Sequence, residues 1–168
     1  IGLMTAITCI LAPLSIPLPF SPVPISLTNL VIFISVFILG MKDATISFLI
    51  YLLLGTVGLP VFSSFRAGLS VLAGPTGGYL IGFIFLALIQ GFAMKYFDRK
   101  LIPTIIGMLI GMAVCYIFGT VWLAKLMSLS FKEGLFMGVI PYLPGDAVKI
   151  IIAVIVGPKL YAATKKVR

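Results

Sequence analysis

Asp146 and Lys149 stand three residues apart in PYLPGDAVKIIIAVIVG, residues 141 to 157, at the mouth of a strongly apolar run. On a helix that spacing puts both side chains on one face, a turn apart. Together they offer an acceptor for N–H groups and an ammonium donor. A plain helical reading covers part of this. An Asp in a first turn complements the helix dipole, and such a pair adds about 0.2–0.5 kcal/mol. Lys149 is badly placed for that dipole, however, and apolar residues follow it at once. Ionisable residues at a membrane helix usually line a cavity and mark a substrate site. PLPG, just before the pair, breaks the backbone where a cavity would tolerate it. The expectation is a ligand-reading pair.

Arg66 is the sole charge between Asp43 and Lys95. It either snorkels to the outer interface or captures a carboxylate through its paired donors. GPTGG, residues 74 to 78, lacks the Lys-Ser/Thr that follows in nucleotide-binding loops. Gly74, Thr76 and Gly77 read first as a tight, close-packed turn into a helix. Ligand binding through exposed backbone N–H groups is the second reading. Ser130 and Glu133 fit a capping box, predicting a short helix over 131–139 rather than a catalytic carboxylate. The chain has no His, the commonest general base and metal ligand. Cys9 and Cys115 lie in apolar runs, where thiols pack. Neither a metal nor a cofactor is expected, and no enzyme motif is present.

The elements that must position these residues follow from composition. Hydrophobic residues make up 61% of the chain and charged residues 10%, with a mean hydropathy of +1.27. Soluble domains carry about 25% charged residues, so this chain reads as an integral membrane protein. Spans need about 20 residues each, so 168 residues form a single domain of roughly six. The segments are 1–15, 25–40, 44–58, 79–97, 103–124 and 146–163. Five prolines between Pro13 and Pro24 forbid helix after the first. The chain opens on Ile1 inside an apolar stretch, so a short polar segment is expected to precede it. Residues 1–12 read as a span and not as a signal peptide.

Basic residues set the orientation. With both termini cytoplasmic, Lys42, Lys95, Arg99, Lys100, Lys159, Lys165, Lys166 and Arg168 fall inside. Arg66, Lys125, Lys132 and Lys149 fall outside. The net charge of +8 is then mainly a topology signal. Nucleic acid is excluded as a partner because the basic residues form no contiguous face; the tail KKVR meets anionic lipid. Gly78/Gly82, Gly107/Gly111 and Gly134/Gly138 have helix-packing spacing, favouring contacts within the protein. Gly2, Thr5, Cys9 and Ala12 form a small-residue stripe, read equally as internal packing or as a seat for a helix of another membrane protein.

SPVPISLTNL, GLPVF…R.G…L.GPTGGYLIGF and P.LPGDAVK resemble the biotin-binding S-components (the BioY family) of energy-coupling-factor vitamin transporters. The resemblance covers about residues 10 to 157. The chain departs from it at Thr28-Asn29, where the family has Gln-Thr, and no second-span contact is carried over there. The resemblance implies an all-α bundle of six transmembrane helices in the bacterial plasma membrane, both termini cytoplasmic. Its vitamin site would lie near the outer face, closed by the loop between the first two helices and roofed by the loop between the third and fourth. The implied partners are a membrane coupling subunit and two cytoplasmic ATPases, docked through the first helix at Gly2, Ala6 and Cys9. The implied ligand is biotin. Asp146 would accept from the ureido N–H, and Lys149 would donate to the ureido oxygen or balance Asp146. Phe62 and Tyr79 would contact the rings, and Arg66 or backbone N–H groups the carboxylate. Another vitamin (thiamin or riboflavin) and a small membrane enzyme are the rival readings.

Overall fold

The computed structural model describes residues 1–165. Lys166 and Arg168, counted above among the cytoplasmic basic residues, lie outside the described residues. The chain is mostly helical. Helices α1 (Gly2–Leu11), α2 (Thr28–Leu39) and α3 (Met41–Thr56) form its first third. A short α4 (Leu69–Ala73) precedes the long α5 (Gly77–Tyr96) and α6 (Leu101–Met127). A short α7 (Phe131–Gly138) and the long α8 (Leu143–Lys165) complete it.

Prolines explain why the stretch between α1 and α2 is not helical. Between α1 and α2 the chain forms an antiparallel hairpin, β1 (Ser15–Leu18) and β2 (Ser21–Ser26), with Ser15 opposite Ser26 and Ile16 opposite Ile25. Its register slips between Ile16 and Leu18, where Pro17 lacks an N–H for the ladder. The expectation of no helix here holds; pairing of the two strands was not foreseen. Gly40 alone separates α2 from α3, at φ +83°, a conformation that favours glycine. The capping box at Ser130 and Glu133 forms as expected and starts α7 at Phe131.

Packing follows the small residues. Helices α5 and α6 lie against each other along Gly82, whose added Cβ would fall 2.8 Å from Cys115 Cα, and Gly111, 3.1 Å from Leu86 Cα. Gly134 and Gly138 seat α7 against Thr120 and the Tyr79 ring. The central core is Phe33 and Val36 of α2, Phe48 and Tyr51 of α3, Leu86 of α5 and Met108 of α6. Outward faces are apolar too, with Leu53, Ile102, Leu109 and Ile151 all exposed. Soluble monomers rarely expose apolar patches on this scale.

Among the described residues, three helical stretches are long and apolar enough to cross a membrane: Gly77–Tyr96, Leu101–Met127 and Phe131–Lys165, the last taking in both α7 and α8. Helices α1, with 10 residues, and α2, with 12, are shorter than the segments 1–15 and 25–40 suggest, while α3 is not. Pro13 ends α1 early, and its 10 residues reach only about 15 Å. One end of the molecule gathers the turn before α6 and the C-terminal half of α8. There Arg99 donates to the Phe37 carbonyl at 2.7 Å and lies 3.8 Å over the Tyr161 ring. Ile1 and Lys165 line one groove beside that end. The hairpin, Arg66 and α7 lie at the opposite end, where Ser15 and Ser64 hydroxyls pair at 3.0 Å.

Candidate functional site

The helix that carries the central pair begins earlier than expected. A 3-10 turn over Ile140–Tyr142 runs directly into α8 at Leu143, so Pro144 and Gly145 sit inside its first turn. Proline is tolerated there because its missing N–H would have no helical partner. The backbone break lies at Val139 (φ −128°, ψ −58°), not at PLPG. Asp146 and Lys149 are then turned into the bundle, 7% and 8% exposed.

A buried charge pair needs partners for all its atoms, and three other elements supply them. Lys149 Nζ lies 2.8 Å from Asp146 Oδ1. From α2, the Asn29 amide donates to Asp146 Oδ1 at 2.8 Å and accepts from Lys149 Nζ at 3.1 Å. From α6, the Tyr116 hydroxyl donates to Asp146 Oδ2. From β2, the Ser26 carbonyl accepts from Lys149 Nζ at 2.6 Å. The cluster forms one wall of a cavity of about 60 Å³. Apolar surface from Val23, Phe83 and Met112 faces it. The hairpin closes over this space, held by Tyr142, whose hydroxyl donates to the Val23 carbonyl and pairs with Ser21 Oγ at 2.8 Å.

The other expected site residues divide. Tyr79 lines the cavity with its ring while its hydroxyl donates to the Gly138 carbonyl at 3.0 Å. Thr76 lines it as well, and its buried hydroxyl has no partner among the described residues. Phe62 is not brought to the cavity. It is 1% exposed, packed edge-on to Tyr51 at 5.6 Å and over Gly55. Arg66 is exposed outside the lining, its Nε donating to the Ser63 carbonyl at 3.3 Å; Ser63 itself lines the cavity. Gly74 and Gly77 are also absent from it. Their N–H groups donate to Val71 and Gly74 carbonyls, the Gly74 carbonyl accepts from Trp122, and a Cβ on Gly77 would meet Leu72 O at 1.7 Å. Close packing, the first reading of GPTGG, is what those glycines do.

The stripe on α1 also divides. Thr5 and Ala12 are buried, with Thr5 Oγ1 2.9 Å from Ser47 Oγ of α3. Cys9 is half-buried against the core. Gly2 and Ala6 remain exposed. Among the described residues no group of three His, Cys, Asp or Glu side chains could hold a metal. Sequence reasoning missed Asn29, Tyr116, Ser26 and Tyr142. An Asn and a Tyr inside apolar helices were the available signals, since each needs a buried partner.

A helical bundle with apolar outer faces and a cavity walled by one charge pair defines a membrane substrate-binding protein. The fold is that of an S-component: a crystal structure described as the S-component for biotin from an ECF-type ABC transporter matches with a TM-score of 0.87 at 32% identity, over 94% of this chain and 86% of that one. The model of the BioY family matches residues 1–166. The biotin transporter BioY of Rhizobium etli is 36% identical over 156 residues, covering 88% of this chain and 82% of the relative. That of Thermotoga maritima is 34% identical over 159 residues, covering 95% and 92%. The chain belongs to the BioY family.

Proposed function

We propose that this chain is the biotin-binding S-component of an energy-coupling-factor transporter, a single transmembrane domain that captures biotin at the outer face for uptake. One observation carries the reading: the cluster of buried Asp146, Lys149 and Asn29 with half-buried Tyr116 on one wall of an otherwise largely apolar cavity. Biotin has the complementary chemistry. Its ureido ring presents two N–H donors and a carbonyl, its fused thioether ring is apolar, and its tail ends in a carboxylate. Asp146 accepts from a ureido N–H, with Lys149 donating to the carbonyl or balancing the carboxylate. Tyr79 contacts the rings. Thr76 offers its unengaged hydroxyl, and Arg66 stands at the mouth for the carboxylate, linked to the lining through Ser63. Ligand pockets usually measure about 300–1,000 Å³, so biotin enters only when the hairpin lifts and the space of about 60 Å³ widens.

In this reading the six apolar segments all lie in the bacterial plasma membrane, with both termini cytoplasmic. The end that holds Lys42, Arg99 and Lys165 faces the cytoplasm, as the excess of basic residues there favours. A membrane coupling subunit and two cytoplasmic ATPases supply the energy, docking at Gly2, Ala6 and Cys9 of α1. The names borne by relatives favour biotin over thiamin or riboflavin, and a transport subunit over a membrane enzyme. The test is retention of tritiated biotin by the purified protein, recovered chemically unchanged. Retention of thiamin or riboflavin in its place, or conversion of the biotin, would overturn the reading.

A further inference from the structure

Lys149 has three N–H donors, and each has an acceptor within the protein. These are the Ser26 carbonyl at 2.6 Å, Asp146 Oδ1 at 2.8 Å and Asn29 Oδ1 at 3.1 Å. The carboxylate of Asp146 has about four acceptor positions. Oδ1 receives Lys149 Nζ and Asn29 Nδ2, and Oδ2 receives the Tyr116 hydroxyl. The remaining position belongs to Oδ2, on a residue that lines the cavity.

Asn29 is the piece that fixes this arrangement. Its Oδ1 faces two donors, Lys149 Nζ and its neighbour's backbone N–H on Leu30 at 3.1 Å. Its Nδ2 faces a carboxylate, which only accepts. Turning the amide over would set acceptor against acceptor and donor against donor, so a single orientation is allowed. The residue sits in the first turn of α2, 117 positions from Asp146 and 4% exposed. Met112 Sδ lies 4.0 Å from Nδ2, and Asn29 itself borders the cavity.

We infer that Asn29 is a positioning residue: its amide locks Asp146 Oδ1 to Lys149 Nζ and so presents Asp146 Oδ2 to an N–H group of the ligand. Removing the amide leaves the ion pair without its bridge, and the carboxylate turns about its side-chain bonds toward Lys149. This rests on the ligand-binding reading above and assigns how its central carboxylate is aimed.

The test is a double-mutant cycle on the full chain in detergent, read by tritiated biotin binding over concentrations wide enough to measure Asp146→Asn. Asn29→Leu, nearly isosteric, should weaken binding about 10- to 100-fold, as expected for hydrogen bonds to charged groups. In the Asp146→Asn background the same change should cost less than about threefold, because neighbours acting through one group are not additive. Asn29→Ser, which keeps one hydrogen-bonding group, should fall between Asn29→Leu and the parent, and it runs the cycle if Asn29→Leu does not fold. Near-parental affinity in Asn29→Leu would overturn the inference. So would an equal loss in both backgrounds, the mark of a residue that acts independently of Asp146. Failure of the unmutated chain to bind biotin would instead remove the proposed function, on which the inference stands.

Discussion

Lys149 Nζ donates to the carbonyl of Ser26 at 2.6 Å, joining α8 to the last residue of strand β2 across 123 positions of sequence. One ammonium therefore touches both the charge pair and the hairpin that closes the cavity. The second tie on that hairpin is Tyr142, through Ser21 and Val23. In the proposed reading, ligand exchange breaks both.

Tyr142→Phe removes one tie without touching the charge pair. Losing its hydrogen bonds should destabilise the closed hairpin by about 1–2 kcal/mol, giving roughly 5- to 30-fold faster biotin release. Dissociation measured by chase with unlabelled biotin checks this. An unchanged release rate would mean that the hairpin does not gate the site.

Thr76→Val replaces a buried hydroxyl, unpartnered among the described residues, with a methyl of similar size. If that hydroxyl meets the ligand, affinity should fall about 5- to 10-fold. The unliganded protein should melt no lower than the parent, because no protein hydrogen bond is lost. A lower melting temperature with normal affinity would make Thr76 a structural residue only.

The exposed face of α1 gives a separable test. Ala6→Leu enlarges an exposed position, so it should block assembly with the coupling subunit and leave biotin binding intact. Cys9→Leu is less clean, because Cys9 packs partly against the core and overpacking costs about 1–3 kcal/mol. Co-purification measured beside radioligand binding separates the effects. Loss of binding by Ala6→Leu with assembly retained would assign this face to internal packing.

Topology can be read by cysteine labelling in intact cells, in a background without Cys9 and Cys115. Cysteines placed within 63–70 and 126–134 should react from outside, and those within 96–101 should not. Labelling at 96–101 would reverse the orientation.

The sequence carried some of this fold plainly and hid the rest for physical reasons. Helix ends at Gly40, the Ser130 cap and the paired glycines that let α5 approach α6 rest on local chemistry, so they could be read from short spans. Prolines 13 to 24 announced the absence of helix; strand pairing depends on register between two such stretches, which composition does not specify. Asp146 and Lys149 stood out because a charge in an apolar run is conspicuous. Asn29 and Tyr116 did not, since their partner lies 117 and 30 residues away, and only the packing of α2, α6 and α8 brings them together. Arg66 and Phe62 share one motif and their backbones pair, yet their side chains diverge, one exposed and one in the core. A motif fixes neighbours in sequence, not the direction of each side chain.

The most direct measurement is titration calorimetry of biotin binding by the parent chain, Asp146→Asn and Lys149→Met, each shown to be folded by its melting profile. Truncating one partner of a desolvated, hydrogen-bonded charge pair costs about 2–5 kcal/mol, or roughly 30- to several-thousand-fold in affinity. The expected result is strong binding by the parent chain and a loss of that size in each folded variant. An exposed pair contributes at most about 1 kcal/mol. Near-parental affinity in both folded variants would reduce Asp146 and Lys149 to helix-end electrostatics and contradict their place in the site.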